Sequence, residues 1–202
     1  MATWYIVRHA DRDWGAYYNP KLHIQDDPIS QKGRQQAQNL IPYFADKGLS
    51  RIYVSAYQRT LQTATPLAEH LNLTPVVDER VNEMNNGLFS SVPEEELPQR
   101  FPKEWQAFRE RRSDFRFPEG ETGEEVKKRI LDFLDEKRKQ HDGESIIAVA
   151  HDGVIRTLMC GILGLPAYQR WNFQIDFAGI TEIDYQPKYE TWKLIRFNQI
   201  CS

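Results

Sequence analysis

Residues 3–11 read Thr-Trp-Tyr-Ile-Val-Arg-His-Ala-Asp and predict how the chain begins to fold. Residues 3–7 are apolar and rich in β-branched and aromatic side chains, which is typical of a buried strand. The pattern stops at Arg8 and His9, and a polar, aromatic loop follows as far as Pro28. The end of this first strand is therefore a candidate position for catalytic residues.

Strand and helix patterns alternate along the rest of the chain. In order, the sequence predicts a helix capped by Ser30, a strand at 51–55, a helix from Leu61 to Leu71, a strand at 75–77, a helix at 124–140, a strand at 145–150, a helix from Gly153 to Leu163, and a closing hairpin at 181–185 and 191–197. This alternation predicts one α/β domain over residues 1–202, a three-layer sandwich with a mostly parallel central sheet and helices on both faces. Segment 84–122, rich in Pro, Glu, Arg and aromatic residues, is predicted to be a lid-like insertion with two short helices at most.

Composition and charge argue against several classes of protein. The formal net charge is −3 over 202 residues, so no broad basic surface for nucleic acid is predicted. No apolar run of about 18 residues predicts a membrane span, and the first residues lack the pattern of a signal peptide, so we expect a cytoplasmic protein. The two cysteines, Cys160 and Cys201, fit reduced thiols better than a disulfide framework.

Three strand ends carry residues that suit phosphate. Arg8 and His9 follow the first strand, Arg59 follows the second, and His151 follows the strand at 145–150. In open α/β sheets, ligands bind in the crevice beyond the carboxyl ends of the strands. Arginine binds phosphate oxygens through paired hydrogen bonds, and a neutral imidazole can act as a nucleophile. A lone histidine at a strand end is usually structural, but two at matched positions beside arginines favour a phosphoryl-transfer site.

These residues lie in five segments that follow the order of a known family. The segments are Arg8-His9-Ala10, Asp26-Asp27-Pro28-Ile29-Ser30-Gln31-Lys32-Gly33, Ser55-Ala56-Tyr57-Gln58-Arg59-Thr60, Asn82-Glu83-Met84, and His151-Asp152-Gly153-Val154-Ile155-Arg156. Together they resemble branch 1 of the histidine phosphatase superfamily, the phosphoglycerate mutase-like proteins, over about residues 3–185. Gly120-Glu121-Thr122 and the following Arg129 match the same pattern.

The resemblance implies a phosphatase that needs neither metal nor cofactor and works through a phosphohistidine intermediate. By this resemblance His9 is the nucleophile, and Arg8, Arg59 and His151 bind the phosphoryl oxygens. His151 would carry a proton when an anionic phosphate lies beside it. The expected partner is a small phosphorylated substrate, and a homodimer is left open.

Two carboxyl groups compete for the role of general acid. The resemblance implies Glu83, which would protonate the leaving oxygen and then assist water in attacking phosphohistidine. Asp152 is the alternative, since a more distant branch of the superfamily uses an aspartate directly after the second histidine. Of the two, Glu83 is the favoured candidate.

Two positions depart from the family pattern. Ala10 stands where a glycine is usual, which is tolerated if the φ angle there is negative. Gly15 stands where many members carry an asparagine that helps to hold phosphate, and Arg12 and Asn19 are the candidate replacements. Asp11 is a candidate hydrogen-bond acceptor that orders this loop.

A phosphoglycerate mutase-type phosphotransferase is an alternative that would need further basic residues to hold a second phosphate. Segment 89–96 is acidic and lacks the basic motif of the true mutases. Four arginines come later, and a solvated helix face is the favoured interpretation for them: Arg109, Arg111, Arg112 and Arg116. A hydrolase is therefore favoured over a mutase.

Two further alternatives concern the site itself. The departures at Ala10 and Gly15 leave open an inactive member that binds a phosphorylated ligand. A metal hydrolase is disfavoured because the nearby arginines would repel a cation. Its candidate ligands would be His9, Asp11, Asp13, His151 and Asp152.

Overall fold

The structure of the protein is a computed structural model that describes residues 2–15, 17–19 and 24–201. Its strands are β1 (Thr3–Arg8), β2 (Tyr18–Asn19), β3 (Ile24–Gln25), β4 (Leu49–Val54), β5 (Val76–Val77), β6 (Ser145–Ala150), β7 (Ile180–Gln186) and β8 (Thr191–Gln199). Its helices are α1 (Gln31–Phe44), α2 (Gln58–Leu71), α3 (Leu97–Arg100), α4 (Pro102–Glu110), α5 (Gly123–Gln140) and α6 (Asp152–Ile162). The strands and helices predicted from the sequence all occur among these elements.

Six strands form one sheet in the order β5-β4-β6-β1-β7-β8. Strands β5, β4, β6 and β1 run parallel to one another, whereas β7 is antiparallel to β1 and β8 is antiparallel to β7. The predicted closing hairpin is thus the antiparallel edge of a mostly parallel sheet. The predicted α/β fold class is confirmed.

Alternate residues of β1 supply the two faces of the sheet, because successive side chains of a strand point to opposite sides. Trp4 and Ile6 pack in one core, which includes Ile130 of α5. Tyr5 and Val7 pack in the other, which includes the α1 and α2 residues Leu40, Phe44, Ala64 and Leu67. Helices therefore cover both faces of the sheet, and a central parallel strand buried in this way reads as a continuous apolar run.

Two of the long helices begin at side-chain caps. The Ser30 hydroxyl accepts a hydrogen bond from the backbone N–H of Gly33, as the N-cap prediction required. Helix α5 starts with a capping box in which the Thr122 side chain bonds the N–H of Glu125 and the Glu125 side chain bonds the N–H of Thr122. These caps fix where the polypeptide turns from loop into helix.

Segment 84–122 is held to the domain by aromatic rings. It contains 3₁₀ turns at Gly87–Ser90 and Glu94–Glu96 and the short helices α3 and α4. Phe89 and Phe108 contact one another and pack with Phe117, which lies in the core shared with α5 and α6. The predicted two short helices are present, and a lid function for the segment stays a prediction.

None of the helices in the described part of the chain has the length and apolar character needed to cross a membrane.

Candidate active site

The carboxyl ends of three parallel strands bring the predicted residues together. β1 and β6 are neighbours, and Arg8 at the end of β1 pairs with Ala150 at the end of β6. His9 and His151 are the next residues, and their ring centroids lie 5.2 Å apart. On the other side of β6, strand β4 leads through Ser55 to Arg59 in the first turn of α2.

His9 is a neutral imidazole with a defined tautomer. Its side chain is buried, and burial together with the positive charge of Arg59 holds the pKa of His9 well below its usual value of 6.5. Nδ1 lies 2.8 Å from the carbonyl oxygen of Ala10. Because a carbonyl oxygen only accepts hydrogen bonds, Nδ1 carries the ring proton and Nε2 keeps its lone pair. An unprotonated Nε2 is chemically able to attack phosphorus.

His151 is the residue from which helix α6 begins, and it is fully buried. Its Nε2 lies 2.8 Å from the hydroxyl of Ser55, and its Nδ1 has no hydrogen-bond partner within the described ranges. Burial and the charge of Arg59 hold the pKa of His151 well below 6.5. The ring is therefore neutral in the protein alone, and a bound anion would have to supply the charge that keeps it protonated.

Arg8 lies at the edge of the site, where the end of β1 meets the loop before β7. Its Nη1 donates to the carbonyl oxygen of Ile175, and its guanidinium lies 4.0 Å from the centre of the Phe177 ring. The same Nη1 is 3.8 Å from a carboxylate oxygen of Asp152. The buried Nε of Arg8 has no hydrogen-bond partner among the residues described.

Arg59 is a buried cation in the first turn of α2. Its Nη1 lies 3.6 Å from the carboxylate of Asp26, and its guanidinium lies 4.4 Å from the centre of the Tyr57 ring. The backbone N–H of Gln58 also donates to Asp26, at 3.0 Å. In the described structure Nε and Nη1 of Arg59 form no hydrogen bond. A buried donor left unsatisfied costs about 1–3 kcal/mol, so an anion that accepts from these donors gains the corresponding stabilisation.

Glu83 brings a carboxyl group to the start of helix α6. Its Oε1 accepts hydrogen bonds from the backbone N–H of Met84 at 2.9 Å and of Val154 at 3.2 Å, and its Oε2 accepts one from Gly153 at 3.4 Å. Burial raises the pKa of Glu83, although these N–H groups and the charge of Arg59 act in the opposite direction. A raised pKa lets a carboxyl group hold a proton for donation.

Asp152 lies next to His151 but has different partners. Its Oδ1 is 3.0 Å from Nε of Arg156 and 3.8 Å from Nη1 of Arg8. Burial raises the pKa of Asp152, and the two arginines oppose this rise. The two candidate acids are thus set apart by their surroundings, one among backbone N–H groups and the other between two guanidinium groups.

The description of one family fits almost the whole chain. The model of the histidine phosphatase superfamily (branch 1) matches residues 4–199. The chain belongs to this superfamily. The predicted family and the prediction of a phosphatase enzyme are both confirmed.

Similar proteins agree with this assignment. The chain is 29% identical to phosphoserine phosphatase 1 of Hydrogenobacter thermophilus over 204 residues, which covers 100% of this chain and 94% of the relative. It is 29% identical to the probable phosphoglycerate mutase GpmB of Escherichia coli O1:K1, covering 92% and 86% of the two chains. The crystal structure of phosphoserine phosphatase from Entamoeba histolytica in complex with phosphoserine matches with a TM-score of 0.81 at 22% identity and covers 98% of each chain.

The loop after the first histidine of this histidine phosphatase tolerates the alanine at its start. Ala10 has a negative φ, and its backbone N–H donates to the hydroxyl of Thr63 at 2.9 Å. Asp11 accepts a hydrogen bond of 2.6 Å from the Ser30 hydroxyl, which is the ordering role predicted for it. The expected conformational reason for a tolerated Gly-to-Ala change is therefore present at Ala10.

The two candidate replacements for the family asparagine are both held by carboxylates. Arg12 lies 3.1 Å from Asp27 and stacks at 3.5 Å on the ring of Trp14. The side-chain amide of Asn19 donates to Asp26 at 2.9 Å. Neither contact tests binding of phosphate, so their role stays a prediction.

Among the residues described, no group of three or more His, Cys, Asp or Glu side chains is placed to hold a metal ion.

Sequence reasoning missed two aromatic residues of the site. The Phe177 ring lies 5.6 Å from the ring of His9, and the Tyr57 ring lies 4.7 Å from that of His151. Tyr57 could have been found, because it lies two residues before Arg59 in the same segment. Phe177 had no such signal, since the turn that aims it depends on the positive φ of +56° at Ala178.

Proposed function

We propose that this histidine phosphatase hydrolyses a small phosphomonoester through a phosphohistidine formed on His9. The observation that carries the proposal is the environment of the His9 ring. Nδ1 is occupied by the Ala10 carbonyl, and the strand-end groups around the ring include buried, unpaired nitrogens of Arg8, Arg59 and His151. Phosphoryl transfer requires an in-line nucleophile and neutralisation of the equatorial oxygens, and this group of residues can supply both.

The proposed reaction has two steps. In the first, Nε2 of His9 forms a bond to phosphorus, the bond to the leaving oxygen breaks, and the Glu83 carboxyl gives its proton to that oxygen. In the second, the Glu83 carboxylate takes a proton from water as the water oxygen attacks phosphorus, which releases phosphate and restores neutral His9. Positioned proton transfer of this kind contributes about 10²–10⁴ in rate, equivalent to about 3–5 kcal/mol.

We assign the acid role to Glu83 rather than Asp152 on the basis of their partners. Asp152 is paired with Arg8 and Arg156, and protonation would break both ion pairs. Glu83 forms no ion pair with arginine or lysine inside the described segments, and its Oε2 has a single long hydrogen bond. A proton on Oε2 therefore disturbs fewer favourable contacts.

We assign the substrate class to phosphomonoesters that carry a carboxylate, with phosphoserine as the first candidate. Phosphoserine is the substrate in the name of the Hydrogenobacter thermophilus relative and the ligand in the Entamoeba histolytica structure. In this chain, Arg156 pairs with Asp152, and its guanidinium lies 5.9 Å from the centre of the Trp171 ring. The guanidinium of the exposed Arg111 lies 4.4 Å from the centre of the same ring. Cations on the Asp152 side of the candidate site suit a second anionic group on the substrate.

Trapping of the intermediate tests the proposal. Enzyme is mixed with ³²P-labelled phosphoserine or an aryl phosphate and quenched in alkali, because phosphohistidine is labile in acid. We expect label on a peptide that contains His9, no label in His9→Ala, and loss of hydrolysis in that variant. Equal hydrolysis by wild type and His9→Ala would contradict the mechanism. Binding of phosphoserine without label on His9 and without turnover would identify an inactive phospho-binding member.

The mutase alternative is tested in the same experiment with phosphoglycerates. The relative named as a probable phosphoglycerate mutase motivates this arm. Transfer of label between the two hydroxyl groups of glycerate would support a phosphotransferase, whereas release of free phosphate supports the hydrolase. The cytoplasmic location and a homodimer stay predictions, testable by fractionation and by light scattering.

A further inference from the structure

Next to the segment that carries Glu83 lies an ion pair between Arg129 and Glu121. Arg129 is in helix α5, and Glu121 lies two residues before the start of that helix. Nε and Nη2 of Arg129 donate hydrogen bonds to the two carboxylate oxygens of Glu121 at 2.8 and 3.0 Å. This is a bidentate ion pair, which fixes the relative orientation of the two side chains. Both side chains are largely buried, with exposed fractions of 19% and 24%.

The pair is bonded to the backbone on both sides of Glu83. Nη1 of Arg129 donates to the carbonyl oxygen of Arg80 at 2.6 Å, and Nη2 donates to the carbonyl oxygen of Glu83 itself at 3.3 Å. The Glu121 carboxylate accepts from the backbone N–H of Asn85 at 2.8 Å, and the Glu121 N–H donates to the Asn85 carbonyl at 2.9 Å. The backbone from residue 80 to residue 85 is thus bracketed by one charged pair.

The carboxyl end of Glu83 is held separately from its backbone. The N–H groups of Gly153 and Val154 reach its carboxyl oxygens from the first turn of α6. Glu83 is thus supported at two points, its backbone by Arg129 and Glu121 and its carboxyl group by α6. If the first support is lost, the backbone of residue 83 is free to shift and the carboxyl group moves relative to His9. A misplacement of about 1 Å can cost about 10²-fold in rate.

We propose that Arg129 and Glu121 are positioning residues for the general acid, acting on catalysis through the backbone of Glu83. This inference rests on the proposed function, since it requires Glu83 to be the acid. Neither residue contacts the phosphoryl group in this role. In this role their effect falls on the proton transfer, so it depends on how much the leaving group needs a proton.

Leaving-group dependence tests the proposal. kcat/KM reports the steps up to the first irreversible one, which is formation of phosphohistidine. It is measured for an aryl phosphate, whose leaving oxygen departs as a stable anion, and for phosphoserine or another alkyl phosphate, whose leaving oxygen needs a proton. The variants are Arg129→Met, Glu121→Gln, Glu83→Gln and the double variant of Glu83→Gln with Arg129→Met. Glu121→Gln keeps an acceptor for the Asn85 N–H and so disturbs folding least.

The matched control is Arg138→Met. Arg138 lies in the same helix nine residues after Arg129, has a side chain exposed to 21%, and pairs with Asp135 at 3.0 Å. We expect Arg138→Met to leave both substrates within about twofold of wild type, as is usual for a surface ion pair. We expect Arg129→Met to lower kcat/KM for the alkyl phosphate by about 10- to 100-fold and for the aryl phosphate by less than about threefold.

The double variant separates positioning from general destabilisation. If Arg129 acts through Glu83, the double variant is no worse than Glu83→Gln alone. An equal loss on both substrates in Arg129→Met and Glu121→Gln, or additive losses in the double variant, would overturn the positioning role while leaving Glu83 as the acid. If Glu83→Gln itself lowers both substrates equally, the assignment of the acid fails first, and the positioning role fails with it.

Discussion

Replacing Gly153 by alanine places a methyl group against the carboxyl group of Glu83. A Cβ atom at this position would lie 2.7 Å from Oε1 and 3.4 Å from Cδ of Glu83. Ordinary contact begins at 3.4 Å, so the Glu83 oxygen must withdraw by about 0.7 Å. The carboxyl group is the far end of a side chain and can move, whereas Gly153 lies in the first turn of α6, where alanine is at least as favourable as glycine.

We therefore expect Gly153→Ala to separate activity from stability. A displacement of about 0.7 Å at the acid predicts a fall in kcat/KM of about 10- to 100-fold on an alkyl phosphate, or about 1.4–2.7 kcal/mol of transition-state stabilisation. The midpoint of thermal unfolding should not fall, because the helix gains up to about 1 kcal/mol from the replacement of glycine. The assay is steady-state release of phosphate from phosphoserine, with calorimetry on the same samples.

Gly161→Ala is the control for this substitution. It makes the same change in the same helix, where the new Cβ would meet methyl carbons of Leu131 at 3.0 and 3.1 Å instead of a candidate catalytic group. Its activity should stay within about twofold of wild type, as for a small packing change away from the site. If Gly153→Ala keeps full activity on alkyl phosphates while folding normally, Glu83 is either not seated at α6 or not the acid.

Three further predictions concern protonation and backbone strain. The pKa of His9 is lowered in the folded protein, so as the pH drops the unfolded chain takes up a proton on this histidine before the folded protein does. The contribution of His9 to the free energy of unfolding is fully present above pH 6.5 and falls below it by up to about 1.4 kcal/mol per pH unit. Urea titrations should therefore show a shallower loss of stability at low pH in His9→Gln than in wild type. The pKa of Glu83 is raised, so kcat/KM for alkyl phosphates should fall on the alkaline side as this carboxyl loses its proton, and a pH profile of Glu83→Gln that keeps this limb would contradict the assignment. Ala178 has a φ of +56°, a conformation that costs an alanine about 1–2 kcal/mol. After the entropy cost of glycine is subtracted, Ala178→Gly should raise the free energy of unfolding by about 0.5–1 kcal/mol. An unchanged or lower free energy of unfolding in denaturant titrations would refute the strain at this residue.

The sequence predicts best where local pattern and tertiary environment agree. The apolar run of β1 indicates a strand buried on both faces, and both faces of it are covered by helices. Because strand ends in such a sheet face one crevice, the pairing of His9 with His151 and Arg59 followed from the order of the elements alone. The residue types at the strand ends are therefore enough to predict which side chains meet, even when their contacts are unknown.

Contacts that depend on long-range backbone geometry were beyond prediction. The position of Glu83 depends on Arg129 and Glu121, which come about forty residues later, and on the N–H groups at the start of α6. The place of Phe177 beside His9 depends on a left-handed alanine, which no residue preference indicates. Both features arise from tertiary packing that overrides local propensity, and both affect groups at the reacting centre.

The two half-buried carboxyl groups beside the histidine pair make each other's proposed roles possible. Asp152, held between Arg8 and Arg156, is favoured as an anion by its ion pairs. Its negative charge is one of the influences that raise the pKa of Glu83. Burial raises the pKa of both carboxyl groups, and in the described structure only Asp152 has guanidinium partners whose ion pairs oppose that rise. Removing the charge of Asp152 would remove its ion pair with Arg8 and one of the influences that raise the pKa of Glu83. In the proposed mechanism, the residue next to His151 therefore tunes the general acid without itself acting as one.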